Sequence, residues 1–211
     1  GRLYTGAPIV WGRSRCDSCG QTLESADLVP LVSWILSFGR CRHCSSRISV
    51  SSPLTELILG VLFVLAYLQI GFGVPLALFL IALTLLLAIV LYDLAHSIIP
   101  PRLLWPFVGV AGLFAYTSSD TSAFLTNAVI ALSIGTSLAL LHLLSSGRAM
   151  GLADAPLSFG LALLVGAVAF SGFVFSFWIG AVVGVVILLR TPHGHRMGIE
   201  VPFAPFLAAG F

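Results

Sequence analysis

Lysine is absent from the 211 residues, charged side chains make up only 9% of them, and just eight are acidic. An ordinary soluble domain carries charge on about a quarter of its residues, so this chain lacks the means to clothe a water-facing surface. Hydrophobic residues reach 58% and the mean hydropathy is +1.08, which makes the chain a polytopic membrane protein. Its ten basic residues are all arginines, and no aromatic side chains are interleaved with them as base stacking requires. Nucleic acid is therefore not an expected partner; the lipid bilayer is. No signal peptide is recognisable in GRLYTGAPIV, and no internal repeat or low-complexity segment stands out. Both ends are expected to be cut, with a first membrane helix missing before residue 1 and a last one truncated after Phe211.

Apolar runs occupy 54–70, 75–92, 103–117, 122–144, 156–170 and 173–189, and a further run starts at 201. Each is close to the length that crosses about 30 Å of hydrocarbon, and each is expected to be helical, because an open strand leaves backbone groups unpaired in lipid. The connections are short: GFGV at 71–74, HSIIPP at 96–101, SSDT at 118–121, SSGRAMGLADAP at 145–156, SG at 171–172 and RTPHGHRMGIEVP at 190–202. Six of the arginines (Arg2, Arg13, Arg15, Arg40, Arg42, Arg47) lie in the first 47 residues, opposed only by Asp17, Glu24 and Asp27. With that segment in the cytoplasm, alternating connections put Arg102, Arg148, Arg190 and Arg196 on the same side. The far side keeps no arginine and only Asp120, as the positive-inside rule requires. Gly180 and Gly184 form a small-residue pair suited to close helix packing in lipid.

The four cysteines form two CxxC pairs, Cys16 with Cys19 and Cys41 with Cys44. Two such pairs complete a tetrahedral thiolate site of the structural kind, with no open position for chemistry. A disulfide reading competes, but cytoplasmic thiols stay reduced, so the expected ligand is zinc. A segment of about 40 residues with so little core needs such a staple, and Gly20 suits the tight turn after Cys19. His43, between ligands of the second pair, reads more simply as an exposed loop residue. His193 and His195 lack a third ligand nearby, so a metal role for them is the weaker reading.

Two aspartates stand at the ends of apolar runs from which charge is otherwise almost excluded. A carboxylate beside hydrocarbon is costly and points to function first. Asp93 ends the second run in LYDLAHSIIPPR, where Pro100 and Pro101 stop the helix; the plainer reading is a carboxylate that has reached the headgroups. Asp154 precedes the fifth run in MGLADAPLSFG, where an ordinary N-cap is the plainer reading. The alternating topology puts both on one face of the membrane. Two carboxylates brought close in a poorly solvated place share one proton. The ionised partner then takes a proton from the attacking water while the protonated one hydrogen-bonds the peptide carbonyl, and hydrolysis needs no covalent intermediate. A serine mechanism finds no serine with an evident histidine partner, and the cysteines are committed to metal. Glu56, at the start of the first run, either serves the helix N-terminus or faces the same site.

The segments RSRCDSCG, VPLVSW, GRCRHC, SSPLTELILG, YDLAHSIIPPRL, GLADAPL and VPFAPFLAAG resemble, in the same order, those of the type IV prepilin peptidases. These are intramembrane aspartic proteases of the bacterial inner membrane. The four cysteines and the spacing from Asp93 to Pro100 are the most specific elements. The resemblance implies about eight membrane spans, Asp93 and Asp154 as the catalytic pair, and a prepilin or pseudopilin leader as the substrate, cut on the cytoplasmic side. It also implies S-adenosylmethionine as the donor where members methylate the new N-terminus. One segment departs from the pattern: the family's GxGDxKL is here Gly151-Leu-Ala153-Asp154-Ala-Pro156-Leu. Ala153 lacks glycine's freedom at positive φ, and Pro156 replaces a lysine, so these changes bear on efficiency.

The expected architecture is therefore an all-α polytopic membrane protein with about 6–8 transmembrane helices. Residues 1–50 form a small cytoplasmic zinc-binding segment and 51–211 a transmembrane aspartic peptidase domain. A non-catalytic relative that binds pilin-like helices or assembly components is the rival. A small transporter is less consistent, because its acids would sit at mid-membrane.

Overall fold

The computed structural model describes residues 15–211 except Asp17, Pro30, Arg148, Ala149 and residues 191–201, with the side chains of Ser52 and Leu188 also set aside. Of the residues singled out above, Arg2, Arg13, Asp17, Arg148, His193, His195 and Arg196 lie outside the described residues. Within them the regular elements are helices: α1 (Val32–Leu36), α2 (Ser51–Ile70), α3 (Val74–His96), α4 (Pro101–Ser118), α5 (Thr121–Leu144), α6 (Asp154–Val165), α7 (Ala169–Arg190) and α8 (Ala204–Gly210). The chain divides into two compact units, Gly1–Val64 and Leu65–Phe211.

In the first unit, apolar residues are too few to build a core, and Cys41 is among the few buried side chains. A 3-10 turn (Ser25–Leu28) and the five-residue α1 supply what regular structure there is before α2. Glu56, one turn and a half into α2, accepts the Leu31 N–H at 2.9 Å. That bond ties the entry of α1 to the start of α2, so the structure gives this acid a bracing role within the first unit.

In the second unit the helices are apolar on every face, and large apolar side chains stand exposed along α3, α5 and α7, as in Leu94, Val129 and Trp178. In water such patches are liabilities. In a bilayer they match their solvent, and helices associate through small residues that let backbones approach. Ala111, Ala115, Ala131, Ala162 and Ala169 fill one such interior cluster. Four stretches of the described residues are long and apolar enough to cross a membrane: Pro53–Ile70, Val74–His96, Thr121–Leu144 and Asp154–Ile187. The run at 103–117 becomes α4, whose Arg102 and two prolines, Pro101 and Pro106, keep it out of that set.

The fifth and sixth runs behave differently from the expectation. Their break falls at Gly166–Val168, a 3-10 turn, while Ser171 and Gly172 lie inside α7. The reason is local: Gly166 takes φ +71, a left-handed conformation that glycine adopts without penalty. This leaves α6 with 12 residues, about 18 Å of helix, too short to cross about 30 Å alone. It has no need to face lipid. Eight of its residues are buried, and it packs against α4, α5, α7 and α8, so α6 is the axis of the second unit.

Close approach sets that axis. Phe107 of α4 is fully buried, and a Cβ on Gly160 of α6 would lie 2.7 Å from its Cε1. Gly180 bears on Phe203 and Phe206, whereas Gly184 meets no neighbour among the described residues. Gly160→Val is expected to destabilise the second unit by about 1–3 kcal/mol through overpacking. Thermal unfolding in detergent micelles would read this as a lowered Tm, with Gly184→Ala unchanged. Equal melting of the two variants would refute the tight α4–α6 crossing.

Candidate active site and cysteine cluster

Asp93 lies in the last turn of α3 and Asp154 is the first residue of α6; both are buried, 4% and 6% exposed. Helical spacing puts both on faces that share one interior. Ile89, four residues before Asp93, and Leu157, three after Asp154, belong to one buried cluster with Ile99, Ala204 and Leu207. Residues three or four apart share a helix face, so the faces that bear the two acids look into the same interior.

Each acid is held by a backbone amide. The GLAD turn is closed reciprocally: the Gly151 N–H donates to Asp154 Oδ2 at 3.1 Å, and the Asp154 N–H donates to the Gly151 carbonyl at 3.2 Å. On the other side, the Ala204 N–H donates to Asp93 Oδ2 at 3.1 Å. The end of α3 is finished by Ser97, in the left-handed conformation, whose N–H returns to the Asp93 carbonyl at 2.7 Å. Pro100 then caps α4, so the HSIIPP link turns the chain directly behind the acid.

The departures at 153 and 156 are accommodated by the backbone. Ala153 has φ −71 and ψ −18, a conformation open to any L-residue, so glycine is not required there. Pro156 is the third residue of α6, where the N–H it lacks is one of the helix's orphan donors.

Two contributors escaped the sequence reading. His142, in the last turn of α5, meets the Met150 carbonyl through Nδ1 at 2.8 Å and braces the loop that leads to Asp154. Nothing in the sequence marks it, because its partner is a carbonyl. The Ala204 amide was equally invisible, since VPFAPF shows no chemical side chain.

In the first unit, Cys16, Cys19, Cys41 and Cys44 place their sulfurs within 4.8 Å of one another, and His43 stays outside the cluster. Cys16 Sγ and Cys44 Sγ are 3.9 Å apart, against about 3.8 Å for a tetrahedron with 2.3 Å zinc–sulfur bonds. The donor set and spacing therefore fit a zinc-sized ion. The two pairs are built alike: Gly20 N–H to the Cys16 carbonyl and Ser45 N–H to the Cys41 carbonyl, each at 2.9 Å. Gly20 and Ser45 both take positive φ, and the flanking bridges Arg15 to Thr22 and Arg40 to Arg47 correspond. A short structural repeat thus extends the two CxxC pairs: the backbone repeats through Gly20 and Ser45 although those residues differ.

Backbone N–H groups of Cys19 and Ser18 hold the Cys16 thiol down at about 6, and Ser46 lowers that of Cys44. Cys19 is pushed up to about 11: the Gln21 amide opposes this, but desolvation and the sulfurs of Cys44 and Cys16 outweigh it. Crowded thiolates repel one another, and a divalent cation resolves the conflict by favouring the charged form of all four.

Residues 2–70 match the family described as Bacterial Peptidase A24 N-terminal domain. A prepilin leader peptidase/N-methyltransferase of Bacillus subtilis (strain 168) is 32% identical over 96% of this chain and 80% of its own length. The protein of that name from Dickeya chrysanthemi is 30% identical over 99% of the chain and 74% of the relative, and that from Dichelobacter nodosus 30% over 92% and 68%. No solved structure matches the chain. A membrane-embedded helical unit with two buried acids, joined to a four-cysteine segment and alike over nearly its whole length to these relatives, belongs to the prepilin leader peptidase/N-methyltransferase family.

Proposed function

We propose that the chain is an intramembrane aspartic endopeptidase that removes the leader of a type IV prepilin or pseudopilin at the cytoplasmic face of the bacterial inner membrane. The observation that carries this reading is the burial of Asp93 and Asp154 on helix faces that meet in one apolar cluster. Two carboxylates so placed share a proton. One activates water by taking its proton as it attacks the scissile carbonyl; the other hydrogen-bonds the carbonyl oxygen and then protonates the leaving amine.

Orientation follows from charge. Ala204 bonds to Asp93, so the start of α8 lies at the same end of α3 as the acid, in keeping with the arginines of the preceding connection and Arg102 sharing the cytoplasmic side. The substrate's basic leader would meet the enzyme there, before the pilin's apolar helix. Zinc held by Cys16, Cys19, Cys41 and Cys44 would cross-link a segment with almost no core of its own. The names of the relatives support a second activity, methylation of the new N-terminus with S-adenosylmethionine as donor.

Asp93→Asn and Asp154→Asn, each in lipid, are expected to reduce cleavage of a leader-bearing pilin about 100–10,000-fold, the scale that loss of a central acid or base removes from catalysis. Near-normal turnover of either variant would end the paired-acid mechanism, and an inactive wild type that still binds the pilin would favour the non-catalytic relative. Cys16→Ser should lower bound zinc measured by atomic emission; unchanged metal content would refute the four-thiolate site. Asp120→Cys should react with a membrane-impermeant maleimide added outside spheroplasts, and reaction only from the cytoplasmic side would reverse the topology.

A further inference from the structure

The bond between Ala204 and Asp93 is buried and joins residues 111 apart in the chain. Its donor is singled out by the local sequence. At the start of α8, Pro205 has no N–H, and those of Phe206 and Leu207 return to the Phe203 carbonyl at 3.0 and 3.1 Å. Of the first four residues of α8, Ala204 is thus the one whose amide is directed away from the helix. Its placement is rigid, because Ala204 and Leu207 are fully buried and share the apolar cluster of Ile89 and Leu157. The Phe203 ring, 5.4 Å from that of Phe177 and 6.1 Å from that of Phe206, anchors the segment to α7.

We propose that the Phe203–Ala204–Pro205 segment is a positioning element of the peptidase site: its single outward amide grips Oδ2 of Asp93 and leaves the other oxygen to face water, substrate and Asp154. Gly151 does the same for Oδ2 of Asp154, so each acid is oriented by one amide from the backbone. Three elements far apart in sequence then assemble the site: the end of α3, the start of α6 and the start of α8. The inference rests on the reading of Asp93 as one of the catalytic pair.

The test replaces Ala204 by lactic acid through nonsense suppression in the full chain reconstituted in lipid vesicles. The resulting ester keeps the methyl group, replaces the N–H by an oxygen and weakens the Phe203 carbonyl as an acceptor, so Tm is measured beside the rate. With a leader-bearing pilin as substrate, kcat is expected to fall about 10–100-fold, the scale of a mispositioned reacting group, while KM stays within about twofold of wild type because uniform binding is untouched. Ala204→Gly, which keeps the amide, should retain most of the rate. An ester variant that turns over like wild type, beside an inactive Asp93→Asn, would overturn this inference and leave the paired-acid reading standing. Asp93→Asn with normal turnover would remove both. A raised KM at unchanged kcat, equal losses in the ester and glycine variants, or a lowered Tm that accounts for the lost rate would show that α8 acts through binding or packing, and would equally overturn it.

Discussion

A carboxylate stays buried beside hydrocarbon only where donors meet its oxygens and no gap lets the surrounding helices slide. In this protein both acids meet that requirement through main-chain amides: Gly151 for Asp154 and Ala204 for Asp93. Much of the second unit can be understood as holding those amides still. α6 begins at Asp154 and is enclosed by neighbours. Gly160 lets it approach Phe107, and His142 fixes the loop that enters it. The break at Gly166 leaves α6 with 12 residues, most of them buried against neighbouring helices.

The cysteine segment solves a different problem by different means. It has too few apolar residues to order itself by burial, and two knuckles of like backbone geometry bring four sulfurs to one point. The left-handed residue after each second cysteine is glycine in one knuckle and serine in the other. A structural zinc ion, bound with about 10–16 kcal/mol in comparable small sites, would be ample to hold serine there, where the strain is of order 1–3 kcal/mol.

Ala153 and Pro156 show why a motif must be judged on its backbone. The family pattern has glycine and lysine at these places, yet position 153 adopts an ordinary right-handed conformation and position 156 falls in the first turn of a helix. Neither residue disturbs the turn that presents Asp154. What the lysine would have added is charge, which a proline side chain lacks.

Composition and spacing alone pointed to the class of this protein, its apolar helices, the four cysteines that cluster and the two acids at the ends of apolar runs, because each rests on a local property: apolarity over about 20 residues, CxxC spacing, or charge at the edge of hydrocarbon. The shared interior of the two acid-bearing helix faces, the Ala204 amide that holds Asp93 and the enclosure of α6 were decided by packing. Those features depend on contacts between residues far apart in the chain, and a backbone N–H carries no side-chain signature: Ala204 is chemically silent in the sequence and becomes specific only when folding brings it to Asp93.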